Sequence, residues 1–162
     1  MKGFTLIETV IVITILGIAS AIFTVVLTEG NNAYLFLSRQ NQIVQESRVA
    51  MNLMEQELTS EILRGTSHSF STAAATSLTF TRNSGGVVTY SWSSNTLTRQ
   101  EGATSRTLAS NVSSFAFSYL DASETVTATL ANIRTIVINM TIQVGNKPIT
   151  LKTAVSLRNT GP

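Results

Sequence analysis

Cysteine is missing altogether from this chain, which removes disulfide bridges, thiolate metal sites and a cysteine nucleophile from consideration. A single histidine, His68, sits in a Ser/Thr-rich stretch. A lone loop histidine supplies neither a zinc ligand set nor a general base with an orienting partner. Proline occurs only at Pro148 and Pro162, so nothing upstream is barred from helix by a locked backbone. Charged residues make up only 12% of the chain and leave a net charge of +2, too small an excess to argue for nucleic acid by itself. The scarcity is greatest from Thr9 to Thr28, where no charged residue occurs.

That uncharged run is long enough for a membrane-spanning helix, which needs about 20 predominantly apolar residues. One carboxylate, Glu8, stands at its edge. Burying an ionised carboxylate in hydrocarbon is costly, so an acid in that place is a functional residue with a partner to be found. A secretory signal peptide fits poorly: Lys2 is the only basic residue ahead of the run, the run is too long, and the small residues Gly17, Ala19, Ser20 and Ala21 lie inside it. A plain anchor explains the length and leaves Glu8 unexplained. Gly3-Phe4-Thr5-Leu6-Ile7-Glu8, followed by the apolar run, resembles the processing motif of the type IV pilin-like proteins, the prepilins and pseudopilins.

The resemblance implies a role for each matched position. Met1 to Gly3 would be a short leader, cut after Gly3 by a membrane-embedded aspartyl prepilin peptidase. Phe4 would become the new N-terminus and be N-methylated. Glu8 would be the fifth mature residue, associated in this family with the free N-terminal amine of a neighbouring subunit during assembly. Charge physics agrees, since an ammonium and a carboxylate desolvated together attract strongly while either alone is expensive. Many family members carry a helix-kinking proline about twenty residues into the mature chain; none is present here, which argues against a major, filament-forming pilin.

Beyond the run, Ile43, Ala50, Met54, Leu58 and Ile62, with Val49 and Leu53 alongside, form one stripe on a 3.6-residue period. The helix is therefore predicted to continue to Arg64, with Gly65 ending it and with Glu57 and Glu61 on its solvated side. After Gly65 the period becomes two. Thr66–Ser77 reads as a Ser/Thr/Ala-rich loop. Leu78 and Phe80, then Val88, Tyr90 and Trp92, then Phe115, Phe117 and Tyr119 alternate, with Gly85-Gly86 and Ser94-Asn95 as turns. Ile136, Ile138, Met140, Ile142 and Val144 share one parity, as do Ile149, Leu151, Val155 and Leu157 after the turn at Gly145-Asn146. These are antiparallel hairpins with one buried face, and the helical stripe supplies their cover. The fold class is α+β, in the pilin-like arrangement that the resemblance implies. Its parts are a leader (1–3), a transmembrane and assembly helix (4–28), an amphipathic continuation (29–64) and an antiparallel β head (65–162).

Little in the sequence points to catalysis. Asp121 and Glu124, three apart in a turn-like segment, are weak calcium candidates, and a simple turn is the favoured reading. Gly85-Gly86 lacks the lysine and helix of a phosphate cradle. No cofactor is called for. The resemblance implies a non-enzymatic structural subunit of a type IV pilus or type II secretion pseudopilus. It would be held singly across the bacterial inner membrane with its head outside the cytoplasm, then built into the filament. Its partners would be the prepilin peptidase, membrane lipid and other pilin or pseudopilin subunits. Arg48–Leu58, Tyr90, Leu97-Thr98-Arg99 and Phe117-Ser118-Tyr119 further resemble minor subunits of the J or W type. The alternative is a competence-type pseudopilin whose head arginines, such as Arg82, Arg99 and Arg106, contact nucleic acid.

Overall fold

The computed structural model describes residues 5–62 and 70–157; the expectations for Gly3, Phe4, Arg64, Gly65 and His68 lie outside them. One helix, α1 (Leu6–Ser60, 55 residues), runs from the apolar segment into the head. The chain divides into two compact units between Arg39 and Gln40. In the first unit every described residue of the helix is exposed.

In the second unit the last turns of α1 meet eight strands. β1 (Phe70–Ala73), β2 (Ser77–Thr81), β3 (Val87–Ser93), β4 (Thr96–Glu101) and β5 (Thr104–Ala109) form an antiparallel meander in that order, while β6 (Val112–Leu120), β7 (Thr135–Val144) and β8 (Lys147–Ser156) form a second. Two sheets thus stand where one sheet of hairpins was predicted. Asn111, held at φ 58°, separates β5 from β6, and the two strands do not pair. The sheets are stitched by other bonds. The Val112 N–H donates to the Asn95 carbonyl (2.9 Å) and the Phe117 N–H to that of Ala75 (2.7 Å). The Trp92 indole donates to the Val112 carbonyl (3.0 Å) and the Tyr119 hydroxyl to that of Ala74 (2.8 Å).

The alternating residues do what their parity predicts. Leu78, Phe80, Val88, Tyr90 and Leu97 are buried on the first sheet, and Phe115, Phe117, Ile136, Ile138, Met140 and Ile142 on the second. The helical stripe covers both: Ala50, Met54 and Leu58 are at most 1% exposed, and Ile43 packs at the margin. Ser94 and Asn95 turn β3 into β4 at φ 48° and 60°, the left-handed pair that matches the twist of a two-residue hairpin.

Three expectations are corrected, and one strand is added. Val49 is 66% exposed, and Met51 is buried instead. The helix ends at Ser60, short of Arg64. There the Glu61 carbonyl takes the Asn83 N–H (2.6 Å) and Ile62 bridges Arg82, which draws the chain into extended pairing. β1 lies within the supposed Thr66–Ser77 loop. β5, built on Thr104-Ser105-Arg106-Thr107, has no apolar alternation and escaped notice. Because Leu58 is buried and Val49 is not, Leu58→Ala is expected to cost about 2–5 kcal/mol of head stability and Val49→Ala within about 0.5 kcal/mol. Urea denaturation of the detergent-solubilised chain, followed by Trp92 fluorescence, distinguishes them.

Candidate functional site

The helix begins at a cap. Thr5 precedes α1, its carbonyl receives the N–H groups of Glu8 (3.1 Å) and Thr9 (3.2 Å), and its hydroxyl also faces the Glu8 N–H (3.4 Å). Glu8, three residues on, completes the Thr-x-x-Glu spacing of a capping box. Its carboxylate stands in the first turn, where the partial positive charge of the helix start favours an anion. Among the described residues, every ion pair joins groups of the head, and none reaches Glu8.

The segment beyond is built for a solvent that offers no hydrogen bonds. Leu6, Ile7, Val10, Ile13, Ile15, Leu16, Ile18, Ile22, Phe23, Val25 and Val26 are all at least half exposed. The most apolar window of α1 has a mean hydropathy of 2.8. Polar side chains are not absent, yet they are satisfied within the helix. The hydroxyls of Thr14, Ser20, Thr24 and Thr28 each donate to the carbonyl four residues back, at 2.7–2.9 Å, and that of Thr9 does so at 3.4 Å. In hydrocarbon an unpaired hydroxyl costs several kcal/mol; these five avoid it. The hydroxyl spacing, unlike the missing charges, carries no apolar signal by which it stands out in the sequence.

The head carries its own polar feature. The Glu57 carboxylate accepts two bonds from the Arg99 guanidinium (2.8 and 3.1 Å) and one from the Tyr90 hydroxyl (2.5 Å). Arg99 also reaches Glu101 (2.8 Å), Glu101 pairs with Arg82 (2.6 Å), and Arg82 lies 3.6 Å from Glu61, which also accepts from the Ser84 hydroxyl (2.9 Å). Spacing explains the match: Glu57 and Glu61 are one helical turn apart, about 6 Å along the axis. Arg99 and Glu101 are two strand residues apart, nearly the same distance, and Tyr90 sits opposite Arg99 in the ladder. Glu57 and Glu61 therefore flank the buried stripe and face the first sheet, contrary to the expectation of a solvated side. Counting only apolar positions hid them.

This network moves several titrations. Burial, reinforced by Glu57, pushes the Tyr90 hydroxyl far above its ordinary value, and burial raises that of Tyr119. Bonding to Glu57 raises Arg99 further. The Ser84 hydrogen bond lowers Glu61, and the Arg99 hydrogen bond lowers Glu101.

The remaining sequence candidates are placed as follows. Arg82 and Arg99 commit their charge to carboxylates, leaving Arg106 the exposed member of the proposed nucleic-acid trio. Asp121 closes a turn on itself: it accepts from the Ser123 N–H (2.8 Å), the Thr125 N–H (3.0 Å) and the Thr125 hydroxyl (2.7 Å). The Thr125 hydrogen bond is the main cause of its lowered pKa. Glu124 sits at φ 59° in that turn. Among the described residues, no three His, Asp or Glu side chains converge as a metal set. The grooves beside α1, such as that of about 520 Å³ lined by Gln42, Glu46 and Arg106, are shallow and hold no paired acids.

A helix apolar on all sides, capped by Thr5 and carrying one acid in its first turn, defines a membrane-anchored protein with a folded head. Residues 1–27 match the family model described as the prokaryotic N-terminal methylation motif. That motif is the signature of type IV prepilins and pseudopilins, so the N-terminal segment of this chain is similar to theirs. No curated protein matches the chain.

Two outcomes follow for the head. Arg99→Ala strands the Glu57 carboxylate between helix and sheet and is expected to cost about 2 kcal/mol or more. Glu57→Gln keeps an acceptor for Tyr90 and should cost less, as urea midpoints would show. Glu61 and Glu101 have folded pKa values depressed below the ordinary 4.5. Their contribution is complete above that value and is lost as pH falls through the depressed ones. Thermal midpoints should therefore drop below about pH 4.5, and less steeply in a Glu61→Gln/Glu101→Gln variant.

Proposed function

We propose that this chain is a minor subunit of a type IV pilus or type II secretion pseudopilus, processed after Gly3, methylated at Phe4, and assembled through its N-terminal helix. The carrying observation is the acid: Glu8 stands in the first turn of a helix otherwise built for lipid. The methylation motif supports a structural subunit rather than an enzyme and implies the prepilin peptidase and fellow subunits as partners. Cleavage after Gly3 would create an amine four residues from Glu8. Among packed subunits that amine can meet the Glu8 carboxylate of a neighbour. Pairing two desolvated charges offsets the cost that each carries alone.

In this reading the subunit waits in the inner membrane with Gln40–Pro162 outside the cytoplasm, then moves into the filament as its anchor exchanges lipid for the anchors of neighbours. The lack of proline anywhere in α1 supports a minor subunit, as does the likeness of Arg48–Leu58 to J- or W-type subunits. Commitment of Arg82 and Arg99 to Glu57, Glu61 and Glu101 withdraws support from a DNA-handling head.

Intact-mass measurement of the chain expressed with and without a prepilin peptidase tests the proposal. The peptidase is expected to remove Met1-Lys2-Gly3 and one methyl group to be added, with Gly3→Ala largely blocking both. Glu8→Ala should be cleaved nearly as well as wild type but recovered in sheared filaments at less than about a tenth of the wild-type level, since losing about 1.4 kcal/mol of pairing already means a factor of ten. An uncleaved product in the presence of active peptidase would overturn the reading.

A further inference from the structure

The apolar surface of the first unit does not end with the span. After the polar group Glu29-Gly30-Asn31-Asn32, α1 presents Tyr34, Leu35, Phe36 and Leu37, exposed by 70%, 45%, 56% and 57%. Four consecutive residues at about 100° each sweep the whole circumference. They form a ring, with polar residues from Ser38 to Gln42 beyond it. A ring differs from a stripe: one docked helix covers one face of it, whereas a layer that the helix passes through covers all of it.

We infer that Tyr34–Leu37 is an anchoring collar in the lipid headgroup layer on the side of the membrane away from Glu8, and that the anchor is accordingly tilted by about 30° before assembly. Two features commit the ring to lipid. It continues a helix whose apolar side chains are exposed on every side, and its first member, Tyr34, is of the class that collects at the membrane–water boundary.

Geometry supplies the tilt. With Glu8 at the near edge of a core about 30 Å thick, the far headgroup layer lies between about 30 and 37 Å from it. Along an upright helix Tyr34 would be about 39 Å from Glu8 and Leu37 about 43 Å, beyond the layer and in water. At a tilt of about 30° these heights become about 34 and 38 Å. Helical side chains lean back toward the N-terminus, which brings the whole ring into the layer. The same tilt puts Glu29 at about 27 Å and Asn32 at about 31 Å, so the polar group straddles the core boundary with Glu29 within snorkelling reach of the headgroups.

The test uses the full chain in phospholipid vesicles at low protein-to-lipid ratio, with one tryptophan added at a time by Tyr34→Trp or Phe36→Trp. Fluorescence is read against a parent signal from Trp92. Phe23→Trp serves as the mid-core control and Asn41→Trp as the water-side control. Lipids brominated near the carboxyl end of the acyl chain should quench Tyr34→Trp and Phe36→Trp at least about twofold more than Asn41→Trp, with blue-shifted emission. Lipids brominated near the chain end should quench Phe23→Trp best. If Tyr34→Trp and Phe36→Trp behave like Asn41→Trp, the collar is overturned. It is equally overturned if their protection appears only as the protein-to-lipid ratio rises, which makes the ring a contact between subunits. Loss of quenching at Phe23→Trp would sink the membrane-spanning reading itself, a separate failure.

Discussion

A single helix in this protein must satisfy two incompatible solvents, and the rest of the structure follows from that constraint. From Thr9 to Thr28 its side chains face outward on all sides and are apolar or bonded to their own helix. From Ser47 onward one face is sealed by Ala50, Met54 and Leu58 against two sheets. Neither half can be exchanged for the other. An amphipathic helix would expose polar groups to hydrocarbon, and an all-apolar one would leave the head with a greasy outer surface. The change of pattern along one uninterrupted element lets the same chain be both anchor and scaffold.

Much of this division was legible in the residues. The span was visible because charge vanishes between Thr9 and Thr28, and the core stripe because Ala50, Met54, Leu58 and Ile62 recur at fours. β7 was plain from five apolar side chains of one parity. What the pattern could not reveal was polar structure. β1 and β5 are short, Ser/Thr-rich strands with one buried apolar residue each, Phe70 and Ala109, so no hydrophobic alternation announces them. The division into two sheets rests on the backbone turn at Asn111, which composition does not encode. Glu57 and Glu61 were assigned to water because a carboxylate beside an apolar stripe looks solvated until Arg99 and Arg82 are known to arrive from a distant hairpin.

The candidate site divides in the same way. Glu8 was evident at once, since a lone acid beside a long apolar run has few bland explanations. Its capping partner is legible too, because Thr5-Leu6-Ile7-Glu8 carries the spacing of a capping box inside the processing motif. The two readings are compatible. Thr5 fixes where the helix starts, and hence where along it the carboxylate is presented.

The self-bonded hydroxyls of Thr9, Thr14, Ser20, Thr24 and Thr28 carry a last implication. Each spends its one proton on a carbonyl of its own helix, so this surface has no hydrogen-bonding debts to settle with whatever surrounds it. Sliding such a rod from acyl chains onto protein leaves its internal bonds intact. On the proposed assembly route the exchange would be governed by shape and by one charge at the tip, with the shaft between an indifferent bearing that grips neither medium.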